Sequence, residues 1–256
     1  MKNVLLSLSL GALALSLLLP CYAAAPVKIA SVAPVSDLVR EADVKIKLLE
    51  EFLFDNKSYV ESKGTTIPAA AGVLAVLAQA IVESDEKAAW QSAAADVRDA
   101  AIIVATAKSY DDAKKGLAAI QDAHGGKAAG AKPEHEWNKL CKLGSIMKEI
   151  NARNSKLRRV TRKKPPTAAE FAEGSADASV MAVLALAAHD DTHEVKSKKK
   201  EDIDEWQKYA KEFQTQMTAV AAAFRKNDVA AAADAWKKGT TACNDCHAKF
   251  RPDLEK

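Results

Sequence analysis

The chain contains the same pattern twice. Leu74-Ala75-Val76-Leu77-Ala78 is matched by Met181-Ala182-Val183-Leu184-Ala185, and Trp90-Gln91 is matched further on by Trp206-Gln207, in the same order. An internal repeat of this length restricts the fold to two units of one design. Composition says which design. Only 5% of the residues are aromatic, glycines number 10, and no run alternates apolar and polar residues in the manner of a strand, so every regular segment reads as helix. Helical spacing predicts four stretches in the first unit, at about residues 35–59, 67–82, 85–108 and 110–123. It predicts four more in the second, at about 134–157, 167–188, 201–225 and 228–249. Between them lies His124-Gly125-Gly126-Lys127-Ala128-Ala129-Gly130-Ala131-Lys132-Pro133, whose glycines and proline end helices and permit a flexible crossing. The expected architecture is all-α: two tandem antiparallel four-helix bundles over residues 25–124 and 134–256, joined by a linker at 125–133.

Residues 1–24 read as a signal peptide. Lys2 opens a short charged region, residues 4–19 are apolar, and Pro20 precedes the small residues Ala23, Ala24 and Ala25, where cleavage is expected. The apolar run is shorter than the roughly 20 residues of a membrane span, so no membrane insertion is expected after cleavage, and the mature chain is expected to be periplasmic or secreted. Cleavage removes Cys21 and leaves Cys141, Cys243 and Cys246. The 37 basic and 34 acidic residues are mostly interspersed, which argues against a nucleic-acid partner.

Near the C-terminus stands Cys243-Asn244-Asp245-Cys246-His247. On a helix, positions i, i+3 and i+4 share a face. Two thiols can therefore bond the two vinyl groups of one porphyrin edge while the neighbouring imidazole reaches the iron, the arrangement that attaches haem c. A tetrahedral zinc site would need four ligands, and no second Cys/His cluster has metal-like spacing. One covalently held haem c is expected, with Cys243 and Cys246 as thioether anchors and His247 as proximal iron ligand. Both thiols of the motif are then used, and Cys141 is left as a small buried hydrophobe.

A four-helix unit ending in this pentapeptide and continuing Ala248-Lys249-Phe250-Arg251 resembles the class II c-type cytochromes, cytochrome c prime and its low-spin relatives. Their haem tail reads Cys-x-x-Cys-His-x-x-aromatic-Arg. The resemblance implies an up-down-up-down bundle and covers residues from about 134 to 252. It extends to 35–124 only through the internal repeat. Low-spin members place a methionine followed by lysine in their first helix, and Ser145-Ile146-Met147-Lys148-Glu149-Ile150 stands at the matching place. The resemblance makes Met147 the candidate distal ligand, a soft thioether suited to haem iron. Helical spacing also allows a core methionine, since Trp137, Leu140, Gly144, Met147 and Ile150 or Asn151 recur on one predicted face. The family pattern gives Arg251 a haem-side role such as a propionate contact; a surface arginine at a helix end is the competing reading. The first unit lacks these elements. Register puts Leu49 where Met147 stands and puts Lys127, Gly130 and Ala131 opposite Cys243, Cys246 and His247.

Other residues invite weaker readings. His189 and His193 flank Asp190 and Asp191 and read as solvated loop histidines. Lys196-Ser197-Lys198-Lys199-Lys200 reads as a solvated helix start, since Glu201, Asp202, Asp204 and Glu205 follow. Trp236 lies at helical spacing before Cys243, Cys246 and His247, on the haem-facing side, where packing is its task. The chain is thus expected to be a periplasmic monohaem electron carrier working with other periplasmic redox proteins, and not an enzyme. The haem-less unit is expected to cover the haem unit as an intramolecular pseudo-dimer. The alternative is a five-coordinate cytochrome c prime that binds nitric oxide or carbon monoxide at an open sixth position. Peroxidase-like chemistry is disfavoured because no histidine or arginine lies on the Met147 stripe.

Overall fold

The computed structural model describes residues 27–162 and 166–254, and the expected signal segment with Lys2, Pro20, Cys21 and Ala23 to Ala25 lies outside the described residues. Among the described residues the chain is all-helical, with no strand. Helices α1 (Val35–Phe52), α2 (Asn56–Ser62), α3 (Thr66–Val82), α4 (Ala94–Thr106) and α5 (Tyr110–His124) form the first half. Helices α6 (Leu143–Arg162), α7 (Ala168–Asp190), α8 (Lys200–Arg225) and α9 (Val229–Phe250) form the second. In the first half α1 packs on α3, α3 on α4, α4 on α5, and α5 closes on α1; in the second, α6 packs on α7, α7 on α8, α8 on α9, and α6 also meets α9.

Apolar content sets each helix's place. In α1 the buried apolar residues Val35, Leu38, Ala42, Ile46 and Leu49 follow the 3.6-residue period of a half-exposed helix. The repeated segments occupy α3 and α7, buried without interruption from Ala70 to Ile81 and from Gly174 to Ala188. A helix apolar all round must be central, and both are, each touching helices of the other half. This explains why α7 is long and apolar enough to cross a membrane while 83% of its apolar stretch is buried inside the fold.

Three predicted helices break or start late, and a side-chain hydrogen bond accompanies each change. The stretch expected at 35–59 breaks after Phe52, and Asp55 restarts the chain as N-cap of α2 by accepting from the Ser58 N–H at 2.8 Å. The Tyr110 hydroxyl donates toward the Leu53 and Phe54 carbonyls, at 3.2 and 3.1 Å. In the stretch expected at 85–108, α4 starts only at Ala94, because Gln91 folds back and donates to the Ile81 and Ser84 carbonyls at the end of α3. In the stretch expected at 134–157, α6 starts at Leu143 after a short 3-10 turn, Trp137–Lys139. There Trp137, 1% exposed, donates its indole N–H to Glu83 at 3.0 Å.

The repeated Trp-Gln pair plays related parts in the two halves. Trp206 lies inside α8 and donates to the Ala188 carbonyl at the end of α7, at 2.8 Å. In the first half Gln91 satisfies the end of α3 instead, and the buried Trp90 indole N–H has no partner among the described residues.

The end of the crossing, from Ala131 to Pro133, is bonded to the first half. Arg98, 1% exposed, donates to the Lys132 and Pro133 carbonyls at 2.7 and 2.9 Å and to Gln79 at 2.6 Å. Asp96 accepts from the Ala131 N–H at 2.9 Å. Gly126 and Gly130 take φ values of +91° and +85°, a region that favours glycine.

The halves meet through α1 and α3 on one side and α6 and α7 on the other. At the centre of this contact Arg153 of α6 binds Glu41 of α1 at 2.9 Å, Asp177 of α7 at 2.6 Å and its own neighbour Glu149 at 2.8 Å. Lys45 of α1 binds Glu149 at 2.8 Å. Beside them Cys141 fits against Gly72 so closely that a Cβ on residue 72 would stand 2.5 Å from its sulfur. Cys141 is thus the buried small residue that the sequence suggests, and burial, helped by the nearby Glu149 charge, pushes its thiol up to about 12.

Candidate functional site

Helix α9 begins at Asp228, whose carboxylate accepts from the Ala231 N–H at 2.9 Å, and it runs unbroken to Phe250. Over its last two turns Cys243, Cys246, His247 and Phe250 are half-buried while Asn244, Asp245, Ala248 and Lys249 are exposed. The pentapeptide is therefore helical, with both thiols and the imidazole along one inward-facing stripe. The two thiols are not joined to each other. Burial, with the mutual effect of the pair, pushes Cys243 up to about 12, and burial together with the Glu205 charge pushes Cys246 up to about 11. Both are therefore neutral thiols in apolar surroundings. No hydrogen bond to the His247 ring is found among the described residues, while its carbonyl accepts from the Arg251 N–H at 2.8 Å.

The end of α9 is fastened to α8. Phe250 meets Trp206 edge-on with ring centroids 5.4 Å apart. Lys249 binds Asp202 at 2.6 Å and also pairs with Glu205, carboxylates that raise the Lys249 ammonium above its ordinary range. Arg251 holds Asp253 through two bonds of 3.0 and 2.9 Å and stands 3.7 Å from Glu194. Its guanidinium is engaged by two carboxylates, as in the surface reading of this arginine, so a propionate would have to displace them.

Met147 lies on α6, and one contact sets its level against α9. The Trp236 indole N–H donates to Asn154 Oδ1 at 2.6 Å. Asn154 follows Met147 by seven residues, and Cys243 follows Trp236 by seven. With α6 and α9 antiparallel, as in an up-down-up-down bundle, a step of about 10 Å along each helix from the Asn154–Trp236 contact would bring Met147 level with Cys243. His247 lies about one turn beyond. Met147, Cys243 and Cys246 are all partly buried against the core. Asn154 was missing from the sequence-based site, and no spacing within one helix points to it.

The predicted α6 stripe needs correction. The buried line is Leu143, Ile146, Ile150, Arg153 and Leu157, whereas Gly144 and Asn151 are exposed and Met147 is half-buried at the edge. Starting the helix at Leu143 instead of Glu134 removed Trp137 and Leu140 from its register. In the first half Leu49, at the equivalent place, is 0% exposed, and α5 ends at His124, before Lys127, Gly130 and Ala131. That half has no helix where the pentapeptide would stand.

His189 lies in the last turn of α7, and its Nδ1 faces Asp190 at 2.8 Å; His193 pairs with Asp191. No cluster of three His, Cys, Asp or Glu side chains able to hold an ion is found among the described residues. Lys198 donates to the Thr192 and His193 carbonyls, and the rest of the 196–200 run is exposed.

The inward stripe Cys243, Cys246 and His247 fits one haem c in its donor set: two uncharged thiols, not paired with each other, and an uncommitted imidazole on a single helical face. No family model matches the chain, and no curated protein or solved structure is significantly similar to it.

Proposed function

We propose that the chain is a periplasmic single-haem c-type cytochrome that carries electrons between other periplasmic redox proteins, with no substrate chemistry of its own. The observation that carries this reading is the half-buried stripe of Cys243, Cys246 and His247 on α9. Haem c would supply a one-electron couple at its iron. Cys243 and Cys246 would anchor it as thioethers, His247 would be the proximal ligand, and Met147 the distal one. A thioether opposite an imidazole favours a raised reduction potential, and side chains fixed on two packed helices limit rearrangement between oxidation states.

The helices form, on this reading, two tandem four-helix bundles of common origin, α1, α3, α4 and α5 against α6, α7, α8 and α9. The pattern of contact supports it: α1 meets α7 as α6 meets α3, and α3 meets α7, the pairing expected when two equivalent units associate through equivalent faces. The first bundle then serves as an intramolecular partner covering the second.

The alternative is a five-coordinate cytochrome c prime binding nitric oxide or carbon monoxide, favoured by the helix offsets that would set Met147 about one turn from His247. Visible spectra decide between them, recorded for protein exported in a host that attaches haem c. A six-coordinate low-spin spectrum with a thioether-to-iron band that disappears in Met147→Ala supports the carrier. A high-spin spectrum unchanged by the substitution supports gas binding. Absence of haem from the denatured protein on a gel would end both readings.

A further inference from the structure

The charge of this chain is unevenly spread. Residues 150–169 contain seven Lys and Arg and no Asp or Glu, in a chain whose net charge is only +3, so the remainder is net negative. The fold turns most of that charge to one side. With Leu143, Ile146, Ile150, Arg153 and Leu157 facing inward, Lys148, Lys156, Arg158, Arg159 and Arg162 are exposed on α6, separated only by the exposed Asn151, Ala152 and Ser155. At roughly 100° per residue these outward positions fall within an arc of about 160°. The face is therefore positive along its whole length.

Neighbouring carboxylates do little to neutralise it. Lys156 stands 3.8 Å from Asp177, which is already bound by Arg153. Glu41 of α1 and Glu149 are likewise engaged by Arg153, and on α9 Asp234 pairs with Lys238. Among the described residues no carboxylate pairs with Lys148, Arg158, Arg159 or Arg162. Attraction of cations to a helix C-terminus accounts for Arg159 and Arg162 in the last turn, not for Lys148, Lys156 and Arg158. Lys200 on α8 and Lys238 on α9 differ in pairing with Asp204 and Asp234.

We propose that this face of α6 docks the protein on anionic phospholipid headgroups. Stable protein interfaces are centred on aromatic, large apolar or arginine anchors packed in pockets, and the centre of this face offers only Ala152, Ser155 and Asn151. A layer of negative headgroups requires nothing but concentrated positive charge. The apolar side of α6 is committed to the core, so the helix lies on the headgroup layer without entering the hydrocarbon. The attachment is independent of haem.

Sedimentation of the full mature chain with vesicles tests this. Phosphatidylcholine vesicles are compared with vesicles in which phosphatidylglycerol replaces part of the phosphatidylcholine, for wild type, for Arg158→Gln/Arg159→Gln/Arg162→Gln, and for Lys196→Gln/Lys199→Gln. The expected result is binding to the phosphatidylglycerol vesicles alone, weakened by high salt, weakened roughly 100-fold in the arginine variant, and nearly unchanged in the lysine variant. Circular dichroism of the arginine variant, whose side chains are exposed, confirms that it is folded. No binding to phosphatidylglycerol, equal binding to both vesicles, or loss in the lysine variant alone overturns the proposal. So does binding of soluble polyglutamate, but not vesicles, through the same arginines, which would assign the face to an acidic polypeptide. Each result reads the same in haem-loaded and haem-free protein, so it stands or falls apart from the cytochrome reading.

Discussion

At the scale of single residues, burial separates two side chains that the repeat makes equivalent. Leu49 is 0% exposed, and Leu49→Ala is expected to cost about 2–5 kcal/mol in urea unfolding. Met147→Ala removes a half-buried side chain and is expected to cost less than Leu49→Ala in haem-free protein while altering the spectrum of the loaded form. Gly72 tells a different story. A Cβ there meets the Cys141 sulfur at 2.5 Å, so Gly72→Ala is expected to lose about 1–3 kcal/mol and to regain most of it when combined with Cys141→Ala. The pentapeptide was legible in the sequence because its chemistry lies in five consecutive residues. The Asn154–Trp236 contact was not, because the two side chains come from helices 82 positions apart.

At the scale of elements, the charged contact joining α1, α6 and α7 is expected to control the acid stability of the protein. Burial raises the Asp177 carboxyl more than Arg153 and Lys156 lower it. The folded chain therefore takes up this proton before the unfolded chain does, and stability rises as pH falls through the folded value. Burial would also raise Glu149, but Lys45 and Arg153 outweigh it and hold the carboxyl below its ordinary range. Its contribution is complete above the unfolded value of about 4.3 and is lost as pH falls through the folded value. Thermal melts on haem-free protein across this range should show a small rise followed by a fall; Asp177→Asn removes the rise and Glu149→Gln removes the fall. Arg153→Ala leaves three carboxylates with too little positive charge and is expected to cost about 3–5 kcal/mol by urea unfolding at neutral pH. Helix existence was legible from periodicity, whereas several helix starts were not. Gln91 and Trp137 bond atoms of Ile81, Ser84 and Glu83 that spacing along one helix does not reveal, whereas Asp55 caps α2 through the local Ser58 N–H.

At the scale of the whole molecule, the halves depend on each other. A fragment beginning near Gly130 would expose the faces of α6 and α7 that contact α1 and α3 and would deprive Arg153 and Glu149 of Glu41 and Lys45. Sedimentation velocity should find it self-associated; a soluble monomer with an unchanged spectrum would remove the covering role of the first half. The sequence by itself determined the helical class, the order of two similar halves and the inward stripe of Cys243, Cys246 and His247, because these follow from patterns repeating every three or four residues along one helix. Tertiary structure alone decided that the crossing is held by Arg98, that Trp236 of α9 bonds Asn154 of α6, that Arg153 joins three helices and that one face of α6 carries positive charge mostly without carboxylate partners. Each of these depends on which helices meet and at what level, and such contacts join residues whose separation along the chain has no period to read.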